Sequence, residues 1–143
     1  MKKIDIGYVY LLSNPAMPGM VKIGFTCGET EKRVAELSSS TSVPLPFVME
    51  YEVFVESPQK YEVMIHAKLK KYRVSACREF FNIDANDAIK CINKTIYGTE
   101  KELDATIKGI KELIRLAEKY PNRFKNKTNF DIEELKVVSD GVK

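Results

Sequence analysis

Five side chains suited to acid–base or phosphate chemistry lie between residues 10 and 73: Tyr10, Arg33, Glu62, His66 and Arg73. Hydrolysis of a phosphodiester needs an activated water, a divalent cation and a positive group beside the charge that grows on the phosphoryl oxygens. A tyrosine, an arginine, a glutamate and a histidine can meet these needs together. On one continuous helix, Glu62, His66 and Arg73 would fall within about 40° of one another. The set predicts a site for phosphoryl chemistry if the fold brings it together.

Each of these residues also has a structural explanation that involves no activity. A tyrosine such as Tyr10 on a central strand is more often part of the core, and a lone carboxylate on a helix is usually solvated. Glu62 can pair with His66 one helical turn later, and Arg33 can pair at the surface with the glutamates of its own helix. No single residue identifies a site, so the prediction rests on the ordered set.

The residue types before position 27 predict a β-hairpin that would carry Tyr10. Residues 4–13 and 20–26 are rich in β-branched, aromatic and leucine side chains, which suit a pleated, half-buried surface. Between them, residues 15–19 hold two prolines and a glycine, which cannot continue a central strand and which favour turns. The sequence therefore predicts two antiparallel strands joined by a loop.

Helices and one further strand follow the hairpin. Apolar residues recur at helical spacing over several stretches, and Ser57 with Pro58 predicts a capped helix start. The predicted elements are a helix over 29–37, a strand over 47–56, a helix over 58–72, a short extended piece over 78–83, and helices over 85–97 and 99–120. This order predicts an α+β fold: a small antiparallel three-stranded sheet flanked by helices, with extra C-terminal helices.

The chain of 143 residues is long enough for one domain with a core and leaves little room for a second. We predict that residues 1–97 form the domain that carries the candidate site. The helix within 98–121 has an apolar stripe that needs a surface, so it would pack on this domain or mediate assembly. Residues 122–143 are mostly polar and are predicted to form a tail.

Composition narrows the class of protein. The chain is 44% hydrophobic and 30% charged, as is ordinary for a globular domain, and no apolar run reaches the roughly 20 residues of a membrane span. No signal-peptide pattern is visible, so we expect a cytoplasmic protein without a membrane partner. The three cysteines and the single histidine do not have the spacing of zinc ligands. The net charge of +3 permits an anionic partner but does not argue for one.

A longer pattern contains the candidate residues and resembles a known superfamily. A tyrosine four residues before an asparagine is followed by a loop, and an Ile-Gly pair then closes the second predicted strand. The matching segments are Val9-Tyr10, Ser13-Asn14, Lys22-Ile23-Gly24, Glu62, His66, Arg73 and Glu79-Phe80-Phe81. Over residues 7–83 the chain resembles the GIY-YIG nuclease superfamily, and in detail the phage-associated DNA-binding branch of that superfamily.

The resemblance implies a metal-dependent endonuclease that hydrolyses DNA. One Mg²⁺ or Mn²⁺ would be held by Glu62, which suits the preference of hard cations for carboxylate oxygen. Arg33 would stabilise the phosphoryl transition state, and Tyr10 would bind or deprotonate the attacking water with the help of a neighbouring base. The catalytic set implied in this way is Tyr10, Lys22, Arg33, Glu62 and His66.

Lys22 stands where typical members of the superfamily have the tyrosine of the second motif, which helps the nucleophile. A lysine can lower the pKa of a neighbouring tyrosine or contact phosphate. His66 is then the best replacement proton acceptor, because its unperturbed pKa is near neutrality. The same substitution also suits a catalytically inactive module that has kept the fold and only binds DNA, so the sequence leaves both alternatives open.

Basic residues around the second predicted helix indicate how DNA would be contacted. Residues 60–73 carry a local charge of five minus one, or +4, because only Glu62 opposes Lys60, Lys68, Lys70, Lys71 and Arg73. We predict that these five residues contact the phosphate backbone of DNA, and the sequence leaves open whether that DNA is single- or double-stranded. A third hypothesis is a protein-interaction domain in which the helix over 99–120 docks a partner or a second copy of the chain.

Overall fold

A computed structural model of the chain describes residues 3–98 and 102–124, with the backbone alone at 102–106 and 124. The strands are β1 (Ile6–Ser13), β2 (Val21–Thr26), β3 (Val48–Glu56) and β4 (Phe80–Phe81). The helices are α1 (Thr30–Ser38), α2 (Pro58–Lys68), α3 (Ala85–Tyr97), α4 (Glu102–Lys119) and α5 (Pro121–Phe124), and a 3₁₀ turn covers Lys70–Tyr72. The predicted α+β class is confirmed in these ranges by an antiparallel sheet combined with helices.

The strands form one antiparallel sheet in the order β3-β1-β2-β4. The prediction of a three-stranded sheet was therefore wrong, because the short extended piece at Phe80 and Phe81 is a fourth strand. These two residues pair with Val21 and Lys22 along the outer edge of β2. A strand of two residues is too short to show an alternating pattern, so only its tertiary pairing identifies it.

β1 lies at the centre of the core and is buried on both of its faces. Tyr10 and Leu12 form a cluster with Phe47, and residues of α1 pack against this cluster. Val9 and Leu11 point to the opposite face and are fully buried. α2 lies against β1 and β2. Since β4 covers only the beginning of β2, the rest of the outer edge of β2 is left for side chains.

The start of α2 departs from the predicted cap. Ser57 has φ 57° and ψ 58°, in the left-handed region, and its side chain makes no capping hydrogen bond. Its backbone N–H instead donates to the carbonyl oxygen of Asp5 at 2.7 Å. Pro58 begins the helix, as predicted. A serine is strained in this conformation, so the tertiary contact with the chain before β1 holds it there.

The chain divides into two compact units, residues 1–95 and 96–143. In the second unit α4 ends at Lys119, and Pro121 begins the short helix α5 after it. Within this unit Lys108 Nζ donates to the carbonyl oxygen of Tyr97 at 3.2 Å. The proline thus ends the long helix at the predicted position.

Three expectations about the organisation of the chain stay predictions. The boundaries at 97 and 121 are among them, and so is the role of the helix over 98–121 in packing or assembly. The polar tail predicted over 122–143 falls, after residue 124, outside the described residues. No helix within the described ranges combines the length and the apolar character needed to cross a membrane.

Candidate active site

Side chains of α2 occupy the outer edge of β2 where β4 no longer covers it. The Ile23 N–H donates to the carbonyl oxygen of Glu79 at 3.1 Å. Beyond this bond, His66 Nε2 lies 2.9 Å from the Ile23 carbonyl oxygen, and the Phe25 N–H donates to the Glu62 carboxylate. Residues two apart on an antiparallel strand direct their backbone groups to the same edge, which is why both side chains reach it. The two candidate residues of α2 are thus anchored to the backbone of β2.

The hydrogen bond to Ile23 determines which nitrogen of His66 can accept a proton. A carbonyl oxygen only accepts hydrogen bonds, so Nε2 carries the proton and Nδ1 keeps its lone pair when the ring is neutral. Burial lowers the pKa of His66 below its usual value, and the bond to Ile23 opposes this shift. The ring also lies 5.0 Å from that of Phe81, centroid to centroid. His66 is therefore neutral at neutral pH and presents Nδ1 as a proton acceptor.

Glu62 is a half-buried carboxylate with an unusual affinity for protons. Burial and then the negative charge of Glu79 raise the pKa of Glu62 to about 7. The positive charge of Lys22, the Phe25 N–H and the charge of Arg73 oppose the rise. A neighbouring cation stabilises such a half-buried carboxylate more than it stabilises an exposed one. The reason is that the cation offsets both the cost of burying the charge and the repulsion by Glu79.

Gly24 gives Tyr10 the room that its ring needs. The two residues pair directly across β1 and β2, and Tyr10 is buried with 1% of its surface exposed. A Cβ added to Gly24 would lie 2.5 Å from the Tyr10 hydroxyl oxygen and 2.7 Å from Cζ. Such a distance is shorter than any van der Waals contact, so the tyrosine can lie across β2 only because this residue is a glycine.

The Tyr10 hydroxyl is in contact with Arg33, which comes from α1. The guanidinium donates a hydrogen bond to the hydroxyl oxygen and a second one to Glu36 Oε2 at 3.3 Å. Arg33 therefore makes the surface contact with a glutamate of its own helix and a contact with Tyr10 as well, while its catalytic role stays a prediction. Burial raises the pKa of Tyr10, and Arg33 opposes the rise. Tyr10 is consequently a neutral phenol whose oxygen lies beside a positive charge, and the arginine keeps donors for a further anion.

Lys22 forms a partly buried ion pair with Glu79, for which the sequence predicted no role. Lys22 Nζ lies 3.0 Å from Glu79 Oε2, and it also lies 5.2 Å from the ring centroid of Phe80. Fifty-seven positions separate the two charged residues, so no local spacing pattern could have paired them. The motif Glu79-Phe80-Phe81 was the only sequence feature that included Glu79, and it did not indicate this contact.

Arg73 reaches the site by another route than the one predicted. α2 ends at Lys68, so Arg73 does not share a helix face with Glu62 and His66 as the sequence suggested. It follows the 3₁₀ turn and forms a β-bridge with Phe81, while its Nε donates to the carbonyl oxygen of Arg78 at 2.8 Å. Its charge nevertheless acts on both Glu62 and His66. The sheet, rather than the helix, brings this arginine to the site.

A family model described as the T5orf172 domain matches residues 7–96, which is more than half of the chain. The chain belongs to the T5orf172 domain family. This domain is phage-associated and nuclease-like. No curated protein and no solved structure matches the chain.

The T5orf172 domain contains all of the candidate residues, since the match begins before Tyr10 and ends after Glu79. Five side chains predicted to be catalytic are connected there by contacts or by electrostatic interactions: Tyr10, Lys22, Arg33, Glu62 and His66. Their catalytic roles stay predictions. α4 lies outside the matched range, so the candidate site belongs to the first compact unit.

The four lysines predicted to contact DNA lie on the surface of this T5orf172 domain. All are exposed, at positions Lys60, Lys68, Lys70 and Lys71. Lys60 Nζ lies 5.6 Å from the ring centroid of Tyr61, and Lys71 Nζ lies 5.0 Å from that of Tyr72. Lysines at these positions can reach an approaching anion, while Arg73 lies closer to the candidate active site.

The donor set of the T5orf172 domain fits a hydrated divalent cation on one carboxylate. Within the described residues, no three His, Cys, Asp or Glu side chains come together as a metal cage. Mg²⁺ does not need such a cage, because it keeps several waters and binds through one or two carboxylates and the substrate phosphate. Glu62, which is half-buried and repelled by Glu79, is the carboxylate that a cation would relieve.

Proposed function

We propose that this chain is a metal-dependent endonuclease of the GIY-YIG type, which hydrolyses phosphodiester bonds in DNA. The observation that supports it is the arrangement around Ile23, Gly24 and Phe25. The first of these residues anchors His66, the second makes room for Tyr10, and the third anchors Glu62. Three chemically different side chains from two other elements therefore meet at one tripeptide of β2.

The proposed proton path ends on His66. Burial keeps Tyr10 protonated, so its hydroxyl orients the attacking water and does not remove the proton. The water would give its proton to His66 Nδ1, the ring nitrogen that is not used to bond Ile23. The positive charge of Arg33 would oppose the negative charge that grows on the phosphoryl oxygens. The proton acceptor and the positive group thus come from two different helices, α2 and α1.

Glu62 would hold the Mg²⁺ or Mn²⁺ ion. When bound, this ion supplies positive charge to the phosphate and makes a nearby water easier to deprotonate. Glu62 must lose its own proton first, and the pKa of about 7 means that this occurs near neutral pH. The remaining cations of the site, Lys22 and Arg73, would then face the phosphate group.

DNA is the proposed partner, and the basic residues supply a surface for its backbone. Lys60, Lys68, Lys70 and Lys71 are exposed on α2 and the turn after it, and Arg73 continues this positive surface towards Glu62. Contacts to phosphate position a duplex or a single strand without reading its bases. We therefore propose binding that depends strongly on salt concentration.

A DNA-binding module without catalysis is the second candidate function. The observation that favours it is the ion pair between Lys22 and Glu79, at 3.0 Å. A lysine held in this way by Glu79 is not available to contact the attacking water in place of the missing tyrosine. In this alternative the site would bind the DNA backbone through its positive charges alone.

The deciding experiment incubates single- and double-stranded DNA with the purified protein in Mg²⁺, in Mn²⁺ and in EDTA. Glu62→Gln keeps the shape of the side chain but removes its charge, and Glu31→Gln serves as a control because Glu31 is exposed on α1. Cleavage that requires the metal and is lost only in Glu62→Gln supports the endonuclease. Salt-sensitive binding without cleavage under every condition supports the binding module instead.

A further inference from the structure

Two neighbouring residues of the chain hold Lys22 in place. Its Nζ donates to Glu79 Oε2 at 3.0 Å and lies 5.2 Å from the ring centroid of Phe80. Lys22 and Phe80 are direct partners in the β2–β4 register, so their side chains share one face of the sheet. Only 13% of the Lys22 side chain is exposed, compared with 40% for Glu79. An ammonium removed from water to this degree requires an anionic partner.

In the described part of the chain, Glu79 and Glu62 are two carboxylates that interact with this ammonium. Glu79 forms the direct ion pair, whereas Glu62 is affected by the charge of Lys22 and accepts its hydrogen bond from Phe25. The charge of Glu79 also acts on Tyr10, Glu62 and His66. Glu79 therefore lies among the candidate catalytic residues, although it comes from a different part of the chain.

Without Glu79, the ammonium of Lys22 would have to find another anion. The lysine stem is flexible and its ammonium has three donors, so it can turn towards a neighbouring carboxylate. The neighbouring carboxylate that interacts with it is Glu62. A hydrogen-bonded pair of Lys22 with Glu62 would occupy the oxygens that the metal needs, since a lysine and a cation compete for the same lone pairs.

We propose that Glu79 is a positioning residue of the site. It holds Lys22 against β4 and so keeps the carboxylate of Glu62 available for the divalent cation. This inference rests on the proposed function, because it takes Glu62 to be the residue that binds the cation. Glu79 acts through Lys22 and does not itself contact the substrate.

Binding of Mn²⁺ without DNA tests the inference, because it is measured independently of cleavage. Electron paramagnetic resonance of free Mn²⁺ reports the affinity of the wild type, Glu79→Gln, Lys22→Met and the double variant. The titrations are done near pH 8, where Glu62, with a pKa of about 7, is ionised. Denaturant unfolding confirms that each variant is folded.

We expect Glu79→Gln to weaken Mn²⁺ binding by about tenfold, the size of one charge-assisted hydrogen bond in competition with the ion. Lys22→Met should bind Mn²⁺ at least as tightly as the wild type, because it removes a positive charge beside Glu62. The double variant should then match Lys22→Met within about twofold. Glu79→Asp keeps the charge and should stay close to the wild type, which tests the inference again if the glutamine variant does not fold.

A matched control is Glu112→Gln in α4. Glu112 also forms an ion pair, with Arg115 at 2.6 Å, and its side chain is 35% exposed. Glu112→Gln should leave Mn²⁺ binding unchanged. Such a result would show that the effect of Glu79→Gln depends on where Glu79 lies and is not the general effect of removing an ion-paired glutamate.

Two outcomes overturn the inference while the proposed function stands. In the first, Glu79→Gln binds Mn²⁺ as the wild type does while Glu62→Gln does not bind it. In the second, the double variant stays as weak as Glu79→Gln, which means that Glu79 acts on the cation and not through Lys22. A wild type that neither binds Mn²⁺ nor cleaves DNA overturns the proposed function itself, and the inference with it.

Discussion

The two helices that flank the sheet deliver their polar side chains to the site in different ways. Glu62 and His66 of α2 are bonded to backbone groups of β2. Arg33 of α1 is held by other side chains, through Tyr10 and Glu36. Backbone groups are present whatever the residue type, whereas a side-chain partner is lost by a single substitution. The α2 half of the site is therefore determined by the fold, and the α1 half by individual residues.

The largest effect is expected from Gly24→Ala, which breaks the α1 half while leaving both backbone anchors of α2 in place. The new Cβ would meet the Tyr10 hydroxyl oxygen at 2.5 Å. We expect a loss of about 1–3 kcal/mol of stability from overpacking and a fall in cleavage of at least about a hundredfold from displacement of Tyr10. Denaturant unfolding and single-turnover cleavage measure the two effects.

Gly28→Ala is the control for Gly24→Ala. A Cβ at Gly28 would lie 3.7 Å from Thr26 Oγ1, which is an ordinary contact. Gly28→Ala should therefore change neither the free energy of unfolding nor the cleavage rate by much. Wild-type cleavage by Gly24→Ala would show that the close contact with Tyr10 is unimportant for the chemistry.

Arg33→Met tests the α1 half without disturbing the core. Arg33 is exposed, so its removal should change stability little. The loss of its positive charge beside Tyr10 should reduce the cleavage rate by about 10²–10³-fold. Lys32 is an exposed neighbour of Arg33, and the variant Lys32→Met should cleave DNA at nearly the wild-type rate. Equal rates for the two variants would exclude Arg33 from transition-state stabilisation.

His66→Gln tests the α2 half of the site, because it can keep the hydrogen bond to Ile23 while removing the proposed base. The amide can still donate to Ile23, but it has no nitrogen that accepts a proton. We expect a fall of about a hundredfold in rate. In the wild type the rate should drop as pH falls through the pKa of His66, which burial lowers below 6.5. Glu62, with a pKa of about 7, causes a separate loss of rate near neutral pH in both proteins. Glutamine cannot titrate, so a variant that keeps the second, more acidic loss would contradict the role of Nδ1.

The smallest effect is a gain in stability from Glu62→Gln. The folded pKa of Glu62 is raised from 4.5 to about 7, so the folded protein binds more protons than the unfolded chain between these values. Stability from this group is therefore full at low pH and is lost as pH rises through this window. Because Glu62 is only half-buried, we expect the variant to gain about 1 kcal/mol near pH 8.

Near pH 4 the same substitution should leave stability almost unchanged, because Glu62 is then mostly protonated in the folded protein and in the unfolded chain alike. The two unfolding curves, measured with denaturant at each pH, check this difference. A variant that is less stable than the wild type at the higher pH would mean that the ionised carboxylate stabilises the fold.

The sequence predicted the elements better than the contacts between them. The hairpin is encoded locally, by β-forming residues around a segment with two prolines, and β1 and β2 begin and end close to the predicted positions. β4 is only two residues long, so its place in the sheet depends on pairing with a distant strand. Ser57 was predicted to cap a helix, but the contact with Asp5 holds it in the left-handed region.

The candidate site shows the same limit. The order Tyr10, Arg33, Glu62 could be taken from the chain, because these residues follow a pattern along it. Arg73 was assigned to the wrong element, since nothing local showed that α2 ends at Lys68. The pairing of Lys22 with Glu79 depends on the β2–β4 register, which no local pattern contains.

The hydrogen bonds on the outer edge of β2 also affect how the protein behaves at high concentration. An exposed strand edge offers donors and acceptors to a strand of another molecule and so promotes aggregation. β4 covers the first part of this edge, and His66 and Glu62 occupy the backbone groups of Ile23 and Phe25 beyond it. The same two side chains that are proposed to serve hydrolysis therefore also block this part of the β2 edge against pairing with a strand of another molecule.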